Sequence, residues 1–232
     1  VPLEYGFGKQ KVNIGEMQNK GWELTIGWRD SINDFNYDLS LNLSDNKNEV
    51  ADLAGTGPWK SGTTYTDEGL PFNSLYGYKS MGLFQSDEEV KNAPFQNSNT
   101  KAGDIRYRDI NGDKKIDAND RVILGDPYAH YLFGFKLGME YKGFDLSMFF
   151  QGIGKKDKII TDNLVRPFKD SSIFEHQLDY WTPDNRNAEY PRILNKEDGN
   201  HNYEYSDYWK INAGYFRMKN LSLGYNFPKK WV

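Results

Sequence analysis

The chain has 232 residues, 38% of them hydrophobic and 27% charged, with a formal net charge of −4 at pH 7 and no cysteine. Charges of both signs are spread along it, so there is no basic stripe for nucleic acid, and without cysteine there is neither a disulfide nor a thiolate metal site or nucleophile, which leaves the redox compartment open. Mean hydropathy is −0.81 and no run of about 18 apolar residues occurs, which excludes a transmembrane helix. A strand that crosses a bilayer, however, needs only every second residue apolar, and long polar loops dilute that signal further. Aromatic residues make up 16% of the chain, with 16 Tyr and 14 Phe, an abundance that suits strands and interfacial girdles.

From the N-terminus, Val1-Pro2-Leu3-Glu4-Tyr5 has no basic region followed by an apolar core, so no secretory signal is expected there. Residues 22–28 alternate, with Trp22, Leu24, Ile26 and Trp28 on one face and Glu23, Thr25, Gly27 and Arg29 on the other. A short turn over residues 30–34 leads to the cleanest alternation, residues 35–43, in which Leu39, Leu41 and Leu43 oppose Asn36, Asp38, Ser40 and Asn42. A long connection over residues 44–129 follows, within which residues 74–84 read as one or two extended segments and residues 87–91 as one helical turn.

Two paired runs come next. Residues 131–141 set Phe133, Phe135, Leu137 and Met139 against Lys136 and Glu140; residues 144–151 set Leu146, Met148 and Phe150 against Asp145, Ser147, Phe149 and Gln151, and the Tyr-Lys-Gly-Phe corner between them is short enough for a hairpin. A second long connection, residues 152–214, with a further turn near 173–180, precedes a last strand at residues 215–227. There Arg217 and Lys219 share parity with Leu221 and Leu223, which either a bulge near Asn220 or exposure of the upper half beyond the membrane would reconcile. The chain stops at Pro228-Lys229-Lys230-Trp231-Val232, a turn with no strand after it, so both ends are those expected of a fragment.

Runs of this length match the roughly 9–11 residues of a tilted membrane strand, and short turns on one side with long loops on the other are the habit of outer-membrane barrels. The fold class expected is therefore all-β, a partial transmembrane antiparallel β-barrel with short periplasmic turns and long extracellular loops. Leu39, Leu41, Leu43, Phe133, Phe135, Leu137, Leu146 and Met148 would face lipid, with Asn36, Asp38, Ser40, Asn42, Lys136, Glu140, Asp145 and Ser147 lining the lumen. Trp28, Phe35, Tyr141, Phe144, Tyr225 and Phe227 would form an interfacial girdle at the short-turn end. Strands half-buried in a soluble β-sandwich show the same period, so a secreted calcium-dependent β-sandwich carbohydrate-binding module is the alternative.

Several phrases occur in an order that resembles one family. They are Asn19-Lys20-Gly21-Trp22-Glu23-Leu24, Glu68-Gly69-Leu70-Pro71, Tyr76-Gly77-Tyr78, Gly103-Asp104-Ile105-Arg106-Tyr107-Arg108-Asp109-Ile110-Asn111-Gly112-Asp113, Asp120-Arg121-Val122-Ile123-Leu124-Gly125, the Gly134-Phe135 pair with Tyr141-Lys142-Gly143-Phe144-Asp145-Leu146, Tyr180-Trp181-Thr182-Pro183-Asp184-Asn185, and Phe216-Arg217-Met218-Lys219-Asn220-Leu221-Ser222-Leu223-Gly224-Tyr225. Collinear over nearly the whole chain, they resemble the C-terminal part of SusC/RagA-type TonB-linked outer-membrane transporters. The resemblance implies that residues 1–232 are a C-terminal piece of a receptor β-barrel. The plug, signal sequence and last strands would lie outside it. It also implies a protein of the Gram-negative outer membrane that imports oligosaccharides or peptides with a SusD-like surface lipoprotein lid, energised by TonB through an absent N-terminal region.

One segment, the acidic loop at 103–121, has ligand spacing. Asp109, Asn111, Asp113, Asp117 and Asp120, with the carbonyl of Lys115, occupy the oxygen-donor positions of an EF-hand-like loop, as a structural calcium ion would require. Lys114 replaces the usual glycine and Asp120 the longer glutamate, so a solvated Asx-turn loop stays open beside calcium. No organic cofactor is indicated. His130, His176 and His201 lack metal-ligand spacing and no serine sits in a nucleophile elbow, so no catalytic residue is expected and the chain is not read as an enzyme. A β-rich hydrolase would need a converging carboxylate pair, and none is singled out. Trp59, Tyr65, Trp181, Tyr208 and Trp209 are loop aromatics fit for substrate or partner contact, or for anchoring their own loops.

Overall fold

A computed structural model of the chain describes residues 15–169, 172–195, 199 and 201–228; the N-terminal pentapeptide and residues 229–232 considered above lie outside them. The strands in chain order are β1 (Glu16–Ile32), β2 (Phe35–Asp52), β3 (Trp59–Ser61), β4 (Thr64–Thr66), β5 (Ser74–Tyr78), β6 (Ser80–Leu83), β7 (Ile105–Tyr107), β8 (Arg121–Gly125), β9 (His130–Tyr141), β10 (Phe144–Lys155), β11 (Asp157–Ile159), β12 (Lys210–Asn212) and β13 (Tyr215–Tyr225). One short helix, α1 (Asp87–Asn92), starts at Ser86, whose side chain accepts the Glu89 N–H. Residues 74–84 thus form two strands as expected, and the turn expected near 173–180 is a single 3-10 turn, Glu175–Gln177.

The principal sheet is antiparallel, five-stranded and open, in the order β1-β2-β9-β10-β13. Its register stacks like with like. Trp28, Leu39, Leu137, Met148 and Leu221 form one row across all five strands; Ile26, Leu41, Phe135, Phe150 and Met218 form the next. Between them on the opposite face run Gly27, Ser40, Lys136, Phe149 and Asn220. Keeping one face apolar through the last strand requires one extra residue in β13: the ladder passes from Phe149 opposite Asn220 to Phe150 opposite Met218, and Lys219 is the residue bulged out.

The two tight turns close the same end of the sheet. Asn33 (φ 53°) begins one, and Lys142 (φ 47°) with Gly143 (φ 90°) forms the other, the doubly left-handed pair that suits a two-residue hairpin. At this end Ile32, Phe35, Tyr141, Phe144 and Tyr225 align in register. Phe144 and Tyr225 have ring centroids 4.5 Å apart, and Phe227 meets Tyr225 edge-on at 5.1 Å. The expected girdle is therefore found in Phe35, Tyr141, Phe144, Tyr225 and Phe227, but without Trp28, which lies two pleat repeats deeper, in the row of Leu39 and Leu137.

The apolar face is covered by no second sheet among the described residues. Trp28 is 61% exposed and Leu223 72% exposed, and of the apolar side chains on the five strands only Val50, at the far end of β2 beyond the apolar belt, is buried among the described residues. The sandwich alternative is thereby overturned: a sandwich would put Phe135 and Leu146 inside a core, whereas the core cluster of Leu75, Tyr78, Ile105, Tyr107, Leu124, Ile159, Val165, Tyr190 and Trp209 comes from the two long connections. β1 and β2, at 17 and 18 residues, also outrun the stretches read from alternation. Both far ends leave the apolar belt, and that of β2 enters the loop body, where Val50 is fully buried, its N–H donating to Leu70 O at 2.9 Å and Asn48 Oδ1 accepting the Phe72 N–H at 2.9 Å.

Arginine at Leu137, in the middle of the apolar face, should destabilise the barrel containing this wall by roughly 2–4 kcal/mol, whereas arginine at Ser40 on the opposite face should cost little. Reversible unfolding of the intact barrel in lipid would measure both; equal costs would contradict the assignment of faces.

Candidate functional site

The two long connections pack into one body at the end of the sheet opposite the tight turns. Main-chain bonds tie them together: Tyr78 N–H donates to Tyr205 O at 2.8 Å, and Arg192 N–H to Gly103 O at 2.8 Å. A Cβ at Gly77 would strike the Tyr205 carbonyl, which is why glycine stands between Tyr76 and Tyr78. Gly103 (φ 87°) is held under the ring of Trp181, with room for no Cβ there.

Asp104 follows that glycine and is fully buried. Its carboxylate faces Arg192 Nε at 2.6 Å and accepts from Arg192 Nη2 at 3.0 Å, Asn202 Nδ2 at 2.8 Å and the Lys101 N–H at 2.8 Å, with His201 Nε2 at 2.7 Å. Burial works to raise the Asp104 pKa, but the hydrogen bonds from His201 and Arg192 and the His201 charge outweigh it and hold the group below the ordinary aspartate value. One carboxylate thus joins the first connection to two places in the second. Asn202 adds a further link through Oδ1, which accepts the Ile105 N–H at 2.9 Å, and Ile105 and Tyr107 fill the core on either side of Arg106.

The acidic loop is built from side-chain-to-backbone turns. Asp109 accepts from the N–H groups of Gly112 (2.6 Å) and Lys114 (2.9 Å), Asn111 from Asp113, Asp113 from Lys115, and Asp117 from Asn119. Asp120 is fully buried, accepting from Ile110 N–H and Asp117 N–H at 2.8 Å each. Lys114, at the position where glycine was expected, takes φ 66° and makes the bend. Among the described residues no three His, Cys, Asp or Glu side chains are gathered as a metal-holding group.

The loop aromatics divide by burial. Trp181 (7% exposed) and Trp209 (6% exposed) are packed inside, Trp209 within the core and donating from Nε1 to Asn202 O at 2.9 Å. As surface contacts these two are corrected: their large apolar rings fill the loop body and leave nothing for a ligand to stack on. Trp59 is 37% exposed, on the β3–β4 hairpin. Next to it Lys60 Nζ lies 5.7 Å from the Tyr65 ring and 5.9 Å from the Tyr76 ring. Tyr208 is partly exposed, its hydroxyl donating to Glu189 O at 2.6 Å.

Inside the wall, polar side chains lie across glycines of the adjacent strand: Asp38 over Gly138, Asn42 over Gly134 and Asp145 over Gly224, each where a Cβ would collide with the polar side chain. Lys136 Nζ is 3.5 Å from Asp38 Oδ2. The face expected to line the lumen is thus largely hydrophilic, apart from Phe149 near its centre and the row of Leu132, Ile153 and Tyr215 at its loop end.

What sheet and loops define is a stretch of transmembrane β-barrel wall carrying a folded body on its long-loop side. No protein-family profile matches the chain. It is 30% identical to the TonB-dependent receptor P26 of Formosa agariphila over 239 residues, covering 98% of this chain and 24% of that protein. It is 26% identical to the TonB-dependent receptor SusC of Bacteroides thetaiotaomicron over 251 residues, 100% of this chain and 23% of that protein. In fold it is similar to the RagAB peptide importer in its open-open state, with a TM-score of 0.74 and 22% identity over 100% of this chain and 24% of that one. Sequence and fold together place the chain among SusC/RagA-type TonB-dependent receptors, of which it spans about a quarter.

Replacing Asp104 by alanine leaves the Arg192 guanidinium without its buried partner and should destabilise the loop body by on the order of 3–5 kcal/mol. Replacing Asp120 by alanine orphans two loop N–H groups at about 1–3 kcal/mol each. Protease susceptibility of the loops in the intact receptor would check both, and wild-type resistance in Asp104→Ala would contradict the bridging role.

Proposed function

We propose that this chain is the C-terminal part of an outer-membrane active transporter of a Gram-negative bacterium. It imports oligosaccharides or peptides and is energised by TonB through regions N-terminal to it. The observation that carries this is the division of one antiparallel wall into a lipid-facing apolar belt with an aromatic girdle and a hydrophilic inner face, since only a barrel in a membrane needs both. On this reading the tight turns are periplasmic and the loop body extracellular. The relatives are receptors and importers, and the chain supplies wall and rim, not catalysis.

The loop body, we infer, is the platform on which a SusD-like lipoprotein lid sits. Its support is economy: a core and a buried ion-pair hub exceed what joining strands requires, whereas a rigid platform needs them. With Trp181 and Trp209 packed inside, the exposed Trp59 and the half-buried Tyr65 and Tyr208 are the contact residues. Calcium at Asp109, Asn111, Asp113, Lys115 O, Asp117 and Asp120 belongs to the same reading as a clamp on that platform, on ligand spacing alone; isothermal titration of the receptor with calcium, against an Asp109→Ala, Asp113→Ala control, tests it.

Truncating Trp59 and Tyr208 to alanine in the intact receptor should weaken lid association by about 2 kcal/mol if either is an anchor, with the barrel still folded. Copurification of the lid at undiminished yield would remove both from the interface.

A further inference from the structure

His130 lies where the loop body meets the wall, and no role in import assigned above uses it. It is the first residue of β9. Its Nδ1 is 2.7 Å from Asp45 Oδ1, on the outer part of β2, and its Nε2 is 3.1 Å from Asp126 Oδ2, just after β8. All three side chains are largely enclosed, at 16%, 19% and 22% exposure. The next residue, Tyr131, is a non-glycine in the left-handed region at φ 56°, with its N–H directed to the same Asp45 oxygen at 3.3 Å. Asp126 is further tied by the Tyr128 N–H at 2.8 Å, and its own N–H donates to Asp157 Oδ2 at 3.2 Å.

Two carboxylates face the two nitrogens of one imidazole. A neutral imidazole has one N–H and one lone pair, so it can satisfy one carboxylate and must present a lone pair to the other; the imidazolium has two donors and satisfies both. We propose that His130 is a proton-operated clasp that holds the corner between β8 and β9 against the wall strand β2 when charged and lets one side go when neutral. Unlike a metal site, in which several ligands converge on one point, the acids here sit on opposite sides of the ring.

The surrounding charges are few. Lys155 of β10 is the register partner of His130, and beyond Asp126 stands Asp157 of β11, with Lys210 of β12 at 3.8 Å. Burial works to lower the His130 pKa, but the bonds to Asp126 and Asp45 and their charges outweigh it and raise the value above that of an ordinary histidine. For Asp45 burial works upward, and the bonds from His130 and the Tyr131 N–H outweigh it and lower the value. The clasp is therefore closed between these limits. It is lost as pH rises through the raised His130 pKa, and again as pH falls through the depressed Asp45 pKa.

The test uses the intact receptor in lipid nanodiscs, with amide hydrogen exchange followed over residues 126–132 and corrected for intrinsic rates, between about pH 5.5 and about pH 8.5, a range that brackets histidine titration. Protection of this segment should fall several-fold as pH rises in the wild type and should be flat with pH in His130→Gln. In Asp126→Asn, which keeps a hydrogen-bonding side chain but removes one charge, the midpoint should move down toward the ordinary histidine value. A wild-type segment equally protected across the range, a pH step persisting in His130→Gln, or a midpoint unmoved in Asp126→Asn would each overturn the clasp.

Discussion

A strand with hydrocarbon on one side and a polar interior on the other can satisfy its backbone only sideways, by pairing with the strands next to it. Everything in the principal sheet follows from that constraint. Side chains are left free to alternate, and the register must match row for row, because a slip of one residue would turn every lipid-facing leucine inward. The five strands keep this match from Trp28 through Leu39, Leu137 and Met148 to Leu221. Where β13 breaks parity, the bulged Lys219 restores it.

The consequence is a molecule whose buried core is not where its most regular secondary structure is. The wall contributes apolar area to the membrane, while the loops make their own interior from aromatic residues and an ion-paired carboxylate. Asp104 is the joint of that interior: a buried charge is tolerated because Arg192, His201, Asn202 and a backbone N–H all converge on it. Gly103 and Trp181 explain why phrases far apart in the chain occur together, since the ring lies on the one residue that offers no Cβ.

The wall was legible in the sequence because period two is a local signal and each strand carries it without help. Leu39, Leu41 and Leu43 against Ser40 and Asn42 need no tertiary knowledge, whereas the broken parity at Lys219 fits a bulge or exposure beyond the membrane equally, and only the pairing with β10 decides for the bulge. Strand ends were less legible: Ser44 to Asn48 read as polar loop, yet β2 continues through them because the emerging hairpin is paired and then roofed by Leu70 and Phe72. The loop body was hidden for another reason. Arg192 and His201 lie 88 and 97 residues after their partner Asp104, in the other connection, and no spacing rule relates them to it. Trp181 and Trp209 are indistinguishable by residue type from the exposed Trp59, since tryptophan serves equally in a core and at a contact.

The central claim is that alternate residues of this wall face lipid and lumen, and accessibility along two adjacent strands tests it most directly. Spin labels placed one at a time in the intact receptor through Leu39→Cys, Ser40→Cys, Leu41→Cys, Asn42→Cys, Phe135→Cys and Lys136→Cys would be challenged with oxygen, which concentrates in hydrocarbon, and with a water-soluble nickel chelate. Labels at 39, 41 and 135 should be relaxed by oxygen, and labels at 40, 42 and 136 should be shielded from it. Labels at 39, 41 and 135 shielded from both reagents, as in a protein core, would contradict the account.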